Sequence, residues 1–143
     1  MKNNFLVTFC LAIILDQLLK YVIRSFFTVG SSLSLKIISI TYVTNTGMSF
    51  GLLKGMNIVF ILVSILVLGF FALVYYKKKK YPIQFGLICA GIIGNLIDRI
   101  TFGYVIDFID FRFFPVFNIA DASIFIGIFW LVFILWKKDE DLI

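Results

Sequence analysis

The side chains that could do chemistry in this sequence are mainly carboxylates, because the chain has eight acidic residues and no histidine. The absence of histidine excludes Ser/His/Asp and Cys/His nucleophile systems and every zinc site built on imidazole. Acid–base chemistry must therefore use carboxylates, lysines, tyrosines or water. Asp107 interrupts an apolar run at 104–111, and Pro115 allows the chain to turn back toward Asp121. Composition and spacing thus make Asp107 and Asp121 a plausible pair for acid–base chemistry, although single carboxylates at a membrane interface also belong to transporters and channels.

Two aspartates a few ångströms apart in a partly dry site share one proton, since both cannot ionise cheaply. The ionised carboxylate draws a proton from a water between them, and that water attacks a scissile carbonyl. The protonated partner supports the oxyanion and protonates the leaving amide. Such a pair predicts peptide hydrolysis with no metal and no cofactor. Judged alone, Asp121 also fits a structural role as the third residue of a helix capped by Asn118.

The elements that hold these residues must be membrane helices, because 62% of the chain is hydrophobic and only 15% is charged. Four segments come close to the roughly 20 apolar residues that span a bilayer, at 5–23, 57–76, 82–100 and 119–136. Too few strand-like stretches remain to close a barrel. The prediction is an all-α membrane protein with four transmembrane helices, forming one integral membrane domain over 1–143. Asp16, Gln17 and Lys20 make the first span unlike a cleavable signal peptide.

Orientation follows from the basic residues that flank the spans. Lys2, the lysines at 77–80, and Lys137 with Lys138 fall on one side if the helices alternate. The positive-inside rule puts that side, and both termini, in the cytoplasm. These lysines contact anionic headgroups in this interpretation, and the formal charge of +5 does not indicate a nucleic-acid partner.

The first outward connection, 24–56, contains an alternating segment at 31–44 that predicts a small extracytoplasmic β-hairpin. Its apolar face is expected on the membrane surface or over the helix ends, with Phe50, Leu52 and Leu53 toward lipid.

Polar residues from distant segments are predicted to meet at the outer end of the bundle. They are Asp16, Asn45, Asn95, Arg99, Asp107 and Asp121. The amides can hold a peptide backbone, and Arg99 can orient a carboxylate or a carbonyl. Asp16 and Lys20, spaced i and i+4, also suit a purely local ion pair.

Two other classes of protein fit parts of the pattern. An ion-coupled transporter would use Asp16, Lys20 and Arg99 as an intramembrane relay, but it predicts acids spread across the membrane depth. A scaffold without chemistry would use the acids as caps and ion pairs. Cys10 and Cys89 lie in apolar runs and are interpreted as small hydrophobic residues.

Five short sequence segments narrow the choice among these classes of protein. In order, they are Asp16-Gln17-Leu18-Leu19-Lys20, Asn45-Thr46-Gly47-Met48-Ser49-Phe50-Gly51, Gly94-Asn95-Leu96-Ile97-Asp98-Arg99, Val105-Ile106-Asp107-Phe108 and Phe117-Asn118-Ile119-Ala120-Asp121. From residue 16 to about residue 127, they resemble the motifs of lipoprotein signal peptidase, or signal peptidase II. The resemblance implies a bacterial inner-membrane aspartyl endopeptidase with four spans and cytoplasmic termini. It also implies cleavage of diacylglyceryl-modified prolipoproteins on the amino side of the lipobox cysteine, at the outer face.

The resemblance also implies a role for each matched residue. Asp107 and Asp121 match the catalytic aspartates. The substrate-binding or site-shaping set is Asn45, Gly47, Asn95, Arg99 and Asn118, and the supporting set is Asp16, Lys20 and Asp98. Asp98 is expected to pair with Arg99 or a neighbour, and Asp110 matches no motif position. The expected partners are lipid-modified prolipoproteins and membrane lipids, and the expected state is a monomer.

The chain departs from the family pattern at Met48 and at Ala90-Gly91-Ile92-Ile93, where the family usually has smaller side chains. These departures bear on the shape of the pocket for the lipobox and its lipid. The acids themselves are unaffected.

Overall fold

The structure is a computed structural model that describes residues 2–47 and 56–140. Its helices are α1 (Lys2–Phe26), α2 (Asn57–Lys78), α3 (Pro82–Phe102) and α4 (Ile119–Glu140). All four are long and apolar enough to cross a membrane, which confirms the predicted spans. Each begins at or near its predicted start, and each runs a few residues past its predicted end. The prediction that Phe50, Leu52 and Leu53 face lipid lies outside the described residues.

The helix α3 lies at the centre of the bundle. In the 18-residue apolar stretch of α3 that is suited to cross a membrane, 56% of the residues are buried. In the corresponding stretch of α2, none are buried. Glycines allow this close packing. A Cβ on Gly91 would overlap the carbonyl oxygen of Ala120 in α4, and one on Gly94 would lie 2.6 Å from Asp16 Oδ2 in α1. The sequence therefore brings α1 and α4 against the same end of α3.

Three short strands form an antiparallel sheet in the order β1 (Ser32–Leu35), β2 (Ile38–Asn45) and β3 (Val105–Asp110). The predicted hairpin is confirmed as β1 and β2. The third strand was not predicted, because the first four of its residues are all buried and its sequence therefore lacks the polar alternation of a half-exposed strand. The register sets Val43 opposite Asp107.

A hydrophobic cluster fastens this sheet to the helices. It contains Ile23 near the end of α1, Tyr42 of β2, and Ile106 and Phe108 of β3. After β3 the chain returns, and Phe117 pairs with Ile109 just before α4 begins. The end of β2, the middle of β3 and the start of α4 are thus held together at one end of the bundle.

Candidate active site

Asp107 lies in the middle of β3 with only 2% of its surface exposed. Its Oδ1 accepts a hydrogen bond from Asn118 Nδ2 at 2.7 Å, and its Oδ2 accepts one from Asn45 Nδ2 at 2.9 Å. Burial raises the pKa of Asp107 to about 7, and the nearby carboxylate of Asp121 adds to that effect, against the opposing action of the two amides. The Asp107 carboxyl can therefore exchange a proton near neutral pH.

Asp121 is the third residue of α4 and forms a reciprocal cap with Asn118. The Asp121 N–H donates to Asn118 Oδ1 at 2.9 Å, and the Asn118 N–H donates to Asp121 Oδ2 at 3.3 Å. This arrangement satisfies two backbone donors at the helix start. The sequence-based prediction of an Asn118 cap is confirmed. The remaining oxygen, Oδ1, accepts from Asn95 Nδ2 at 2.7 Å.

Asn118 connects the two aspartates directly. It is fully buried, its side chain donates to Asp107, and its backbone N–H donates to Asp121. Its Nδ2 also lies 3.0 Å from Asn95 Oδ1. One residue thus bridges two carboxylates from different elements, which is a geometry in which they can share a proton.

Beneath this pair lies a buried ionic cluster centred on Lys20 of α1. Its Nζ lies 2.8 Å from Asp16 Oδ2, 2.9 Å from Asp98 Oδ2 and 3.1 Å from Asn95 Oδ1. The i, i+4 pair of Asp16 and Lys20 is confirmed. Asp98 pairs with Lys20 and not with Arg99, because adjacent residues on a helix point in different directions.

The two aspartates of this cluster also hold the backbone of the candidate pair. Asp98 Oδ2 accepts from the N–H of Ile106 at 3.1 Å, and Asp16 Oδ1 accepts from the N–H of Ala120 at 2.8 Å. Each bond fixes the residue that immediately precedes one of the candidate catalytic aspartates. Asp16 and Asp98 therefore position β3 and the start of α4 as well as neutralising Lys20.

The sequence analysis gave Gln17 no role in the candidate site. Its Nε2 lies within 3.2 Å of three acceptors, which are Asp16 Oδ2, the Gly94 carbonyl and Asp98 Oδ1. The amide thereby joins α1 to α3 beside the ionic cluster. The sequence did contain an indication of this role. Gln17 follows Asp16 within an apolar span, where a polar side chain is energetically costly unless it has partners.

Asn45 and Gly47 lie at the end of β2. Asn45 Nδ2 donates to Asp107, while Asn45 Oδ1 accepts from the N–H of Gly47 at 3.0 Å. The side chain thus holds the chain that leaves β2 close to Asp107. Gly47 is buried.

Arg99 is the one predicted site residue that the structure does not join directly to the network. Within the described part of the chain it forms no ion pair, and its buried Nε has no hydrogen-bond partner. Its guanidinium lies 5.3 Å from the centre of the Phe60 ring, and its carbonyl accepts from Asn57 Nδ2. It borders a cavity of about 190 Å³ among α2, α3 and α4, which Asn95 also lines. The other lining residues are Val63, Ser64, Val67, Phe71, Ile88, Ile92, Ile124 and Ile128.

The fold and the site together define a multi-pass membrane protein with linked carboxylates at one end of a four-helix bundle. Comparison with known families identifies the particular group. The chain belongs to the signal peptidase II family, whose model, Signal peptidase (SPase) II, matches residues 8–137. It is accordingly a membrane aspartic peptidase.

Individual relatives agree with this assignment. A lipoprotein signal peptidase of Halothermothrix orenii is 40% identical over 135 residues, covering 91% of this chain and 93% of that protein. One from Caldicellulosiruptor bescii is 44% identical over 132 residues, covering 90% and 87%. A solved bacterial membrane enzyme structure, obtained by the in meso method at 2.3 Å resolution, has a TM-score of 0.88 and 32% identity over 97% of this chain and 91% of that one.

Proposed function

We propose that this peptidase removes the signal peptide from diacylglyceryl-modified prolipoproteins, cutting on the amino side of the lipobox cysteine. Asp107 and Asp121 activate the attacking water in this proposal. The observation that carries it is the bridge through Asn118, which bonds to one oxygen of each carboxylate. Membership of the signal peptidase II family supports the choice of substrate.

The chemistry follows from the shared proton. One carboxylate takes a proton from a water held between the pair, and the other donates its proton as the peptide carbonyl gains negative charge. The near-neutral pKa of Asp107, about 7, supports this exchange, because an acid–base group works best when its pKa lies near the working pH. The reaction as proposed uses no metal and no cofactor.

The proposed substrate contacts divide into two groups. Asn45, Asn95 and Asn118 already bond to the carboxylates, so we assign them mainly to shaping the pair. Arg99 has a buried donor free of protein partners in the described part of the chain, so we assign it to a substrate carbonyl. The mostly apolar cavity beside it suits the hydrophobic part of a signal peptide or an acyl chain.

We further propose that the site lies at the outer face of the bacterial inner membrane, with both termini cytoplasmic. Lys138 Nζ bonds to Tyr81 between α2 and α3, so the lysines at 137–138 lie near those at 77–80. The candidate site is at the start of α4, while these lysines are at its other end, about 30 Å away along a helix of this length. The positive-inside rule assigns the lysine end to the cytoplasm.

The proposed substrate specificity is tested with purified protein in proteoliposomes. Two forms of one prolipoprotein are compared, with and without diacylglycerol on the lipobox cysteine, and the products are identified by mass spectrometry. We expect cleavage of the lipid-modified form only, with the modified cysteine as the new amino terminus. Equal cleavage of both forms, or a cut elsewhere, would contradict the proposed specificity.

A further inference from the structure

The orientation of the Asn95 amide is fixed by the charge of Lys20. An ammonium group can only donate hydrogen bonds, so the atom of Asn95 that lies 3.1 Å from Lys20 Nζ must be the oxygen. The amide nitrogen of Asn95 then faces Asp121 Oδ1 at 2.7 Å. The reverse orientation would set a donor against the ammonium and an acceptor against the carboxylate. Asp121 therefore receives a donor that Lys20 polarises.

The Asn118 amide is fixed in the same way, by a backbone donor. The N–H of Asp121 requires the oxygen of Asn118, so Asn118 Nδ2 must face Asp107 Oδ1. Both amides thus have one possible orientation. All four oxygens of the two carboxylates accept a hydrogen bond from a defined donor.

The two carboxylates nevertheless lie in different electrostatic surroundings. Asp121 is at the third position of α4, where the helix dipole favours negative charge, and it accepts a backbone N–H as well as the amide of Asn95. Asp107 lies on a strand between the buried residues Ile106 and Phe108. Its donors in the described chain are two neutral side-chain amides. These contacts favour an ionised carboxylate at Asp121 over one at Asp107.

We propose that Asp121 is the ionised member of the pair and the general base, that Asp107 carries the shared proton, and that Asn95 is the positioning residue that maintains this division. The inference rests on the proposed function of Asp107 and Asp121 as a catalytic pair, and it specifies the role of each member. The tendency of Asp107 to hold a proton near neutral pH agrees with it, since its pKa is raised to about 7 by burial and then by Asp121.

The proposed reaction has two steps and consumes one water. Asp121 takes a proton from water as the water oxygen bonds to the scissile carbonyl carbon, while Asp107 gives its proton to the carbonyl oxygen. A neutral gem-diol results. Asp121 then returns its proton to the amide nitrogen as the carbon–nitrogen bond breaks, and Asp107 takes a proton from one diol hydroxyl. The products are a carboxylic acid and an amine, and the pair regains its starting state.

The other charged groups near the pair come from the helices packed against it, Asp16 and Lys20 from α1 and Asp98 and Arg99 from α3. Lys20 acts on both aspartates, whereas Asp16 acts on Asp121. The lysines of α2 lie at its far end. Asp16, Lys20 and Asp98 form one compact cluster, which meets the pair through Asn95.

The test is the pH profile of kcat/KM for a lipid-modified prolipoprotein, which is bell-shaped when one acid and one base are needed. Asn95→Ala removes a donor to the proposed base, so the acidic limb should move to higher pH by about one unit. Asn45→Ala removes a donor to Asp107 and raises the pKa of that acid, so the alkaline limb should move up by about one unit. The two aspartates titrate as a coupled pair, so each substitution can move both limbs. The limb with the larger shift identifies the aspartate that the substitution affects.

Ser123→Ala is the matched control. Among the described residues, this buried hydroxyl of α4 bonds to the Ile119 carbonyl of its own helix, so the substitution should leave both limbs in place. The assignment is overturned if Asn95→Ala moves mainly the alkaline limb or Asn45→Ala mainly the acidic one. If Asn95→Ala does not fold, the shift of the alkaline limb in Asn45→Ala tests the assignment by itself, because Asn45 is only partly buried. Failure of the wild-type protein to cleave the substrate would instead reject the proposed function itself.

Discussion

At the scale of single residues, Asn118 has two roles, one in the helix cap and one at the candidate pair. It caps α4 through its oxygen, and it donates to Asp107 through its nitrogen. The cap is a local stabilising feature worth about 1 kcal/mol. The donated bond reaches a different element and holds the carboxyls together. Substitutions at this position can separate stability from catalysis.

We expect Asn118→Ser to retain the cap, because serine is also a preferred cap residue, but to lose the bond to Asp107. Cleavage should fall by about tenfold or more, as expected for the loss of a hydrogen bond to a reacting carboxyl, while the melting temperature changes little. Asn118→Ala should lose both features and be less stable by about another 1 kcal/mol. The measurements are initial cleavage rates and thermal unfolding in detergent. Equal cleavage by Asn118→Ser and the wild type would remove the donated bond from the mechanism.

The Asp107 carboxyl should also make stability depend on pH. Its pKa is raised from 3.8 to about 7 by burial and by Asp121, so the folded chain retains a proton that the unfolded chain loses above pH 4. Folding stability therefore falls as pH rises from about 4 to about 7, by at most about 1.4 kcal/mol per unit of pKa shift, and then levels off. The neutral Asp107→Asn variant should show a smaller decline over the same pH range. Thermal unfolding of both proteins from pH 4 to pH 8 measures the difference, and parallel curves would contradict it.

At the scale of elements, the site depends on how closely α1 and α4 approach α3. Gly94 lies where a side chain would contact Asp16, which in turn holds the N–H of Ala120 just before Asp121. The helix α3 therefore acts on the candidate pair through the position of Asp16 and through the side chains of Asn95 and Asp98. The geometry of the candidate pair therefore requires the close packing of α1 and α4 against α3 at Gly94.

A methyl group at this contact should disturb the site. In Gly94→Ala the new Cβ would lie 2.6 Å from Asp16 Oδ2 and 3.1 Å from the Ala120 Cβ. We expect a loss of about 1–3 kcal/mol of stability together with a strong loss of cleavage. Gly69→Ala in α2 is the matched control, because no neighbouring atom of the described residues lies within 4 Å of its added Cβ. Equal behaviour of the two variants in unfolding and cleavage assays would show that the close approach is unimportant.

The helices and the hairpin could be predicted because hydropathy and alternation are local properties of the sequence. The strand β3 could not, since its burial on both faces depends on the cluster around Tyr42, Ile106 and Phe108. The site residues were recognised by motif, and the Asn118 cap by its spacing from Asp121. The partners of Asp98 and Gln17 required the structure, because both link helices that are far apart in the sequence.

At the scale of the whole molecule, the sheet and the candidate site share one end of the bundle and the clustered lysines occupy the other. Four apolar helices separate the two ends by about the thickness of a bilayer. The proposed orientation places the sheet outside the cell membrane. Substrate that has been translocated and lipid-modified would then reach the carboxyl pair from the outer leaflet.

This orientation is tested by thiol labelling in spheroplasts. Cys10 and Cys89 are first replaced by alanine, and single cysteines are introduced as Lys36→Cys in the hairpin and Lys79→Cys after α2. A membrane-impermeant maleimide should label the first in intact spheroplasts, and the second only after lysis. Labelling of the second site alone in intact spheroplasts would invert the proposed topology.

The most direct test of the aspartate pair compares Asp107→Asn, Asp121→Asn and Asp110→Asn in one cleavage assay with a lipid-modified prolipoprotein. Asp110 is in the same strand as Asp107 but bonds to Thr41 and the Arg112 N–H, away from the pair, so it controls for the loss of an acid in β3. We predict that the first two variants lose at least about 100-fold in cleavage rate while remaining folded, and that Asp110→Asn retains nearly full activity. Substantial cleavage by Asp107→Asn or Asp121→Asn would contradict the assignment of that residue to the catalytic pair.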